Sequence, residues 1–346
     1  MSRAQLTSTV EQTTGGAVAP FVAGKNKIIN GDFGIWQRGT SFTNPSNGTY
    51  VADRWFVGYE NGTVTSSSVA QVAFDYSSSP ASDKLPISGY NSSYFLRRTY
   101  TTLGTATLSR LDQKIEDVRA FAGQTVTISY WAKSNASISV INYAVQNMGT
   151  GGSGGGAPSV GGITLTSSWA RYSFQIPIPS LAGTTIGTGS NLEIIFQLGN
   201  LSNGATFDLW GVQLEAGSVA TPFTTATGTL SGELTACQRY YYRLSAATGQ
   251  TNFYIGAGTV NYLGTNAYCY TKYPTTMRVV PTFTFLSAGN YFIVSNPQGV
   301  ATSVGTDNPG VDSAGLTFAK ASMTAYASAT FQANSSSTYI EMSAEL

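Results

Sequence analysis

Two stretches of alternating apolar and polar residues constrain this sequence most. The first runs from Asn26 to Gly39, with Ala52–Trp55 shortly after it, and the second is Phe207–Gly217. A two-residue period is typical of a strand with one buried face, and Asn-Gly and Ala-Gly dipeptides mark turns. Because the first and last strands of a double-sheet jelly roll can lie side by side, the two stretches predict one closed β-unit.

The segment between these stretches is rich in short strand patterns separated by Gly, Asn and Ser, which favours a sandwich over an α/β fold. Val126, Ile128 and Tyr130 are predicted to share one face of their strand. One short helical turn is expected at Asp117–Gly123, and the Gly149–Gly156 loop is expected to be mobile unless it contacts a ligand or neighbour. The strand candidates are Trp55–Tyr59, Val69–Phe74, Ser93–Tyr100, Leu108–Ile115, Val126–Trp131, Ile138–Val145, Ala170–Ile176, Leu192–Leu198 and Phe207–Leu214.

A second unit is predicted after a Thr/Gly linker. Leu230, Leu234 and Cys237 have the spacing of a short amphipathic helix, which is expected to begin this unit. Strand patterns then resume to the end of the sequence. They are Tyr240–Leu244, Asn252–Ala257, Ala267–Tyr273, Thr282–Leu286, Phe292–Val294, Gly315–Ala321, Ala325–Gln332 and Tyr339–Glu345. The predicted class is therefore all-β: an N-terminal arm, a jelly-roll β-sandwich and a second, smaller β-sandwich.

Composition excludes several classes of function. Charged residues make up 10% of the 346 residues and the net charge is +1, so no basic field favours a nucleic-acid backbone or a membrane surface. No apolar run is long enough to span a membrane, and the N-terminus lacks the features of a secretory signal. We therefore expect a protein assembled in a cytoplasm and released by another route, such as cell lysis.

The absence of histidine is the strongest exclusion. It removes every Ser-His or Cys-His nucleophile pair and every imidazole metal site. Cys237 and Cys269 are the only cysteines, and two reduced, buried thiols are expected, with a single bridge as the alternative. Residues 1–24 are too polar to fold alone, so they form either an arm that orders against a partner or an unstructured tail.

Five separated blocks carry a resemblance to a known family. Residues 25–223 resemble the carbohydrate-binding-module-like domain of many phage tail-fibre and related virion proteins. The blocks are NGDFGIWQRGTSF, ADRWF, KIEDVRAFAGQTVTISYWAKS, SSWARYSF and DLWGVQLEAGSVATPF. In the second unit, CQRYYY, KYPTTMRVVPTFTF and NSSSTYIEMSAEL resemble the small C-terminal β-domain of many phage tail fibres.

This resemblance implies a domain plan: a docking arm at 1–24, a jelly roll at 25–225 and a trimerising β-domain at 226–346. It further implies a homotrimeric virion component, attached to other virion proteins through the arm, that adheres to host surface glycans. Many tyrosines of the second unit fit such a subunit interface, although core packing is the alternative. They are Tyr240–Tyr242, Tyr262, Tyr268, Tyr270 and Tyr273. The alternative role is a head fibre, decoration or baseplate protein that acts only through protein–protein contacts.

A sugar site of this type combines exposed aromatic rings with planar polar groups. The residues predicted to form it are Trp36, Arg38, Asp53, Trp55, Tyr90 and Tyr94. Core packing is the alternative for Trp36 and Trp55, and it is the favoured role of each tryptophan taken alone. It is also the expected role of Trp131 and Trp210.

No cofactor is expected, apart from a structural calcium ion that the resemblance would place at Asp32 and Asp208. Gly34 stands where the related sugar-binding modules usually carry a glutamate, which removes a strong ligand. The acidic cluster of Asp112, Glu116 and Asp117 could supply the carboxylate pair of a glycan depolymerase. Its alternation with Lys114 and Arg119 instead indicates a solvated, paired edge, so no enzymatic activity is expected.

Overall fold

A computed structural model describes residues 24–60, 62, 64–76, 83–87, 90, 92–246, 250 and 253–346. The all-β prediction is confirmed, because strands dominate this part of the chain and the only α-helix described is α1, Leu230–Gln238. The predicted N-terminal arm falls outside the described residues, apart from Gly24. Within the described ranges, no helix is both long enough and apolar enough to cross a membrane.

Strands β1 to β11 form two antiparallel sheets. One has the order β1-β3-β4-β11-β6-β9 and the other β2-β5-β10-β7-β8, so most neighbours in a sheet are distant in sequence, as in a jelly roll. The strands are β1 Ser41–Thr43, β2 Trp55–Glu60, β3 Val64–Ala73, β4 Tyr94–Leu103, β5 Leu108–Glu116, β6 Thr125–Ser134, β7 Ser139–Asn147, β8 Ser159–Thr164, β9 Ala170–Pro177, β10 Asn191–Gly199 and β11 Ala205–Ala216.

The core of this unit lies between its two sheets. Val126, Ile128 and Tyr130 are all completely buried there, as the alternation in β6 predicted. The next residue on the opposite face, Trp131, packs with Trp210 in a second cluster on the outside of the six-stranded sheet. Phe74, Leu85 and Phe223 cover that second cluster, so the outer face of this sheet is partly closed by its own chain.

The two alternating stretches lie against each other, although the first is not a strand. The Lys27 amide donates to the Leu214 carbonyl at 3.0 Å, and the Val212 amide donates to the Gly31 carbonyl at 2.9 Å. The sequence predicts an extended, strand-like conformation for the first stretch. This prediction is wrong, because Asn30 and Phe33 adopt positive φ angles of 57° and 55°. These angles turn the chain out of the extended conformation.

Two connecting segments differ from their sequence predictions. Asp117–Gly123 forms successive turns and no helix, because Asp117 and Phe121 both have positive φ angles, of 72° and 60°. The glycine-rich loop at Gly149–Gly156 has partners of its own: Thr150 pairs with Thr188, and Ser153 pairs with Thr185. This pairing connects the loop to the segment that precedes β10.

Strands β12 to β21 form a second pair of sheets around a separate core. The three-stranded sheet has the order β12-β21-β15, and the seven-stranded sheet has the order β17-β16-β20-β13-β14-β19-β18. None of these described strands pairs with β1 to β11. They are β12 Tyr241–Ser245, β13 Phe253–Val260, β14 Asn266–Lys272, β15 Thr282–Phe285, β16 Tyr291–Val294, β17 Gly299–Val300, β18 Ser303–Asp307, β19 Ser313–Ala319, β20 Ser328–Ala333 and β21 Tyr339–Ser343.

Helix α1 is present where the sequence predicts it, but it buries a different face. Thr229 caps its N-terminus by accepting a hydrogen bond from the Gly232 amide. The buried residues are Glu233 and Cys237, whereas Leu230 is 67% exposed. Cys237 and Cys269 are both free and buried, in α1 and in β14.

Candidate functional site

An open cleft of about 430 Å³, here called the Asp32 cleft, lies between the jelly roll and the start of helix α1. Three segments form it: the turns around residue 32, the residues that lead into β4, and the chain that enters α1. Its lining combines two tyrosines, two carboxyl groups, several hydroxyls and one exposed apolar side chain. The lining residues are Asp32, Gly34, Tyr90, Ser92, Ser93, Tyr94, Thr225, Gly228, Thr229, Leu230 and Glu233.

The aromatic wall of the cleft is held by the cluster on the outer face of the six-stranded sheet. The Tyr90 ring packs edge-on against Trp210, with centroids 5.3 Å apart, and against Phe223 at 5.2 Å. Trp210 in turn donates its Nε1 hydrogen to the Ser92 hydroxyl at 2.9 Å. Burial raises the pKa of Tyr90 above its ordinary value, so its hydroxyl stays protonated. Tyr94 is 37% exposed and can therefore contact a ligand.

The two carboxyl groups of the cleft have different environments. Glu233 accepts hydrogen bonds from the Asn30 amide at 2.7 Å, the Thr227 amide at 2.7 Å and the Thr227 hydroxyl at 2.8 Å. It therefore fixes the position of the segments on either side of the cleft. Burial, reinforced by the negative charge of Glu233, raises the pKa of Asp32 to about 6. Asp32 is thus the carboxyl that can exchange a proton near neutral pH.

The predicted glycan residues Trp36 and Trp55 pack in the core. Trp55 is completely buried, lies 5.2 Å from the Phe33 ring and donates its Nε1 hydrogen to the Asn30 carbonyl at 3.0 Å. Trp36 is 9% exposed and donates to the Phe33 carbonyl at 2.7 Å. Neither ring offers an open face, so both tryptophans take the alternative role that the sequence left open.

The predicted glycan residues Arg38 and Asp53 lie where the two β-units meet. Arg38 packs over the Tyr241 ring at 3.5 Å and pairs with Glu345 at 3.1 Å. Asp53 is 1% exposed and accepts a hydrogen bond from the Gln37 amide at 3.0 Å. Burial raises the pKa of Asp53, and the positive charge of Arg38 opposes that rise. Arg38 therefore connects the units, Asp53 pairs with Gln37 and Arg38 of its own unit, and neither side chain faces a ligand.

The two residues predicted to hold calcium line different clefts. Asp208 faces a polar cleft of about 300 Å³ on the six-stranded sheet, together with Asp83, Arg97 and Lys133. Arg97 donates to both carboxylate oxygens of Asp208, at 2.7 and 2.8 Å, and the Lys133 ammonium lies 3.6 Å away. No group of three or more acidic or thiol ligands converges anywhere in the described ranges. The structure therefore does not bring Asp32 and Asp208 into one cation site.

The three acidic residues that could supply the carboxylate pair of a glycan depolymerase do not come together in the structure. Asp112 is completely buried beside Arg110, 3.3 Å from its Nε, and burial raises the pKa of Asp112 well above its usual range. Glu116 pairs with Arg239 at 2.9 Å across the junction of the units, and Asp117 pairs with its near neighbour in the chain. These carboxyl groups do not face one another across a cleft.

Glu233 is the functional residue that the sequence analysis missed. The apolar residues of α1 predicted a buried face on Leu230, Leu234 and Cys237, yet Glu233 lies on the same side as Cys237 because the two are four residues apart. The available sequence signal was a glutamate in the first turn of a helix whose N-terminus Thr229 caps. Its partners, Asn30 and Thr227, lie in other segments, and nothing in the sequence associates them with it.

Comparisons with known proteins give partial structural likenesses. No protein-family profile and no curated protein matches the sequence. The solved structure of the carbohydrate-binding module TmCBM61 bound to β-1,4-galactotriose is similar over 56% of this chain and 99% of its own, with 13% identity and a TM-score of 0.31. A family 11 carbohydrate-binding module from Clostridium thermocellum, bound to a mixed-linked tetrasaccharide, is similar over 53% of this chain and 99% of its own, at 15% identity and a TM-score of 0.30.

One phage protein is also among the similar structures. The enzymatically active domain of bacteriophage CBA120 tailspike protein 4 is similar over 56% of this chain but only 21% of its own length, with 16% identity and a TM-score of 0.36. A cyclase from Fischerella reaches the same TM-score of 0.36 at 10% identity. Scores this low assign neither a fold family nor an activity to this chain.

Proposed function

We propose that this protein binds a glycan in the Asp32 cleft and that it does so without catalysis. One observation carries the proposal: Tyr90, Tyr94 and Asp32, which the sequence singled out separately, line the same open cleft. Its other accessible groups are the hydroxyl residues Ser93 and Thr229 and the side chain of Leu230. A pyranose presents an apolar face and a ring of hydroxyls, and this lining offers a partner to each.

The physical basis of the proposed binding is stacking supplemented by hydrogen bonds. The exposed ring of Tyr94 contacts the apolar face of a sugar, while the Asp32 carboxylate accepts from its hydroxyls. A single contact of this kind is weak, about 1 kcal/mol per ring, so useful affinity requires several sites acting together. The proposal therefore includes a homotrimer assembled through residues 230–346, as in the virion proteins that the sequence resembles.

The test is binding of purified protein to a glycan array and to host cells, comparing wild type with Tyr94→Ala and Asp32→Asn. We expect each substitution to weaken glycan binding about tenfold, the equivalent of one lost stacking or charged hydrogen-bond contact. Asp117→Asn is the matched control. It neutralises an exposed carboxyl group that lies outside the Asp32 cleft, in a surface ion pair with Arg119. Unchanged binding in both cleft variants would reject the cleft as the site.

The role in a virion is part of the same proposal and has a separate test. A mass of three chains in sedimentation equilibrium, together with binding to host cells, is expected of a tail fibre that displays the cleft outward. A monomer at micromolar concentration would contradict the trimer. Tight binding to purified capsid without binding to cells would favour the decoration role instead, and release of reducing sugar from host polysaccharide would contradict the absence of catalysis.

A further inference from the structure

The outward face of the seven-stranded sheet in the second unit has a composition unlike that of an ordinary solvated face. Residues alternate along β14, where Ala267 and Cys269 are completely buried against the core. Tyr268 and Tyr270 therefore point to the opposite, outward side. Charged residues normally occupy such a side, yet the seven strands contain only Lys272 and Asp307.

Two tyrosines on this face are almost fully exposed. Tyr270 in β14 is 79% exposed, and Tyr254 in the adjacent β13 is 71% exposed. A single exposed ring is ordinary, but two on neighbouring strands of one sheet form a patch of the kind that marks a binding surface. Phe292, two strands from Tyr254, adds a half-buried ring, because Gln332 is paired with both Tyr254 and Phe292.

The strand register places uncharged hydrogen-bonding groups beside these rings. One row across the sheet is Ser328, Thr259, Tyr268, Thr317 and Gly305, each paired with the next. In the neighbouring row, Tyr270 is paired with Gly315, and Gly315 with Asp307. Ser328, Thr259 and Thr317 therefore lie on the same side of the sheet as Tyr268 and Tyr270.

We propose that this outward face, here called the Tyr254–Tyr270 face, is a second glycan-binding surface, for an uncharged polysaccharide chain laid across the strands. Exposed rings supply stacking, and the row of hydroxyls supplies hydrogen bonds. An acidic glycan is disfavoured, because Lys272 is the only cation on these strands and Asp307 opposes it. A second copy of the chain is the competing occupant, because tyrosine is also enriched at subunit interfaces, and sedimentation of the variants distinguishes the two.

This inference is independent of the Asp32 cleft, because none of the residues that line the cleft lies on the seven-stranded sheet. The experiment is affinity gel electrophoresis of the full chain in gels that contain a neutral glucan, a neutral galactan or the acidic polygalacturonate. We expect a neutral polysaccharide to retard wild type. The double variant Tyr254→Ala/Tyr270→Ala is expected to lose about tenfold in affinity for that polysaccharide. Tyr94→Ala is expected to retain this binding, which separates failure of one site from failure of the other.

Tyr262→Ala is the matched control, because Tyr262 is 66% exposed but lies in the turn between β13 and β14, away from the rows. Near-ultraviolet circular dichroism would check that the variants stay folded. The proposal is overturned if the double variant is retarded as much as wild type, if neither neutral polysaccharide retards wild type, or if polygalacturonate alone does. It is also overturned if the double variant sediments as a smaller assembly than wild type, which would make the face a contact between copies.

Discussion

Asp32 shows how a single side chain acquires its chemistry from distant parts of the chain. Its pKa of about 6 arises first from burial and then from the charge of Glu233, a residue of α1 that the hydrogen bonds to Asn30 and Thr227 hold in place. Amides of its own turn oppose the rise by donating to the carboxylate. The cleft therefore changes its charge in a pH range where an ordinary aspartate would not.

The raised pKa of Asp32 predicts a pH-dependent effect of Asp32→Asn on stability. Between the ordinary pKa near 4 and the folded value of about 6, the folded chain binds more protons than the unfolded chain, so Asp32 makes wild type less stable as the pH rises. Asp32→Asn lacks this loss of stability, because asparagine does not ionise. Urea unfolding should show Asp32→Asn gaining about 1–2 kcal/mol relative to wild type between pH 4 and pH 7. A difference that does not change with pH would contradict the assignment.

The bulge in β11 explains how one strand serves two clusters of side chains. Its register against β6 shifts between Trp210 and Gln213, and Gly211 adopts a φ of 65° within the shift. Before the shift, Phe207 and Leu209 face the core while Trp210 faces outward; after it, Val212 and Leu214 again face the core. The bulge thus places Trp210 where it supports Tyr90 and the Asp32 cleft.

Gly211→Ala tests whether the bulge requires a glycine. A Cβ at this position would lie 2.8 Å from Cε3 of Trp131, in addition to the strain of the positive φ. We expect a loss of about 2–4 kcal/mol in the free energy of unfolding. Gly204→Ala is the control, because its φ is 78° but nothing lies within 4 Å of the added carbon. It should lose only about 1 kcal/mol, and equal losses in the two variants would show that Trp131 is not tightly packed there.

The two β-units are joined by a charged and aromatic junction that shields its charges from water. Arg54 is 1% exposed, packs over the Tyr240 ring at 3.5 Å and pairs with Glu345, which also pairs with Arg38. Lys114 donates to the Leu346 carbonyl at 3.0 Å. Because buried charges must keep their partners, this arrangement favours one relative placement of the units.

Glu345→Ala is expected to uncouple the units, because it leaves Arg38 and Arg54 without their shared carboxylate. The predicted loss in the free energy of unfolding is about 3 kcal/mol. Calorimetry should then show a first transition at a lower temperature, separated from a second one. Arg119→Ala removes a surface ion pair whose arginine is 63% exposed, and it should change stability by less than about 0.5 kcal/mol. Equal effects of the two substitutions would mean that the junction contributes little.

The sequence by itself determined the strands, because their signal is local. Alternation with a period of two residues is visible within six to ten positions, and it predicted the buried face of Val126, Ile128 and Tyr130. The helical spacing of Leu230, Leu234 and Cys237, equally local, predicted the position of α1. Strands without such a pattern were missed: β1 and β17 are three and two residues long, β8 contains two adjacent glycines, and β18 has a single large apolar residue, Val304. The alternation of apolar and polar residues also did not indicate the positive φ angles of Asn30 and Phe33.

Only the tertiary structure decided which polar and aromatic residues meet. Arg38, Asp53 and Trp55 were predicted to face a sugar, yet Asp53 and Trp55 are buried, and Arg38 packs over the Tyr241 ring of the second unit. Asp32, Tyr94 and Glu233 are far apart in the chain and line one cleft. Side-chain type is a property of the residue, whereas exposure and partnership depend on segments brought together from elsewhere by sheet pairing. The physical reason is that hydrophobic alternation specifies which face of a strand is buried, but not which segment covers it.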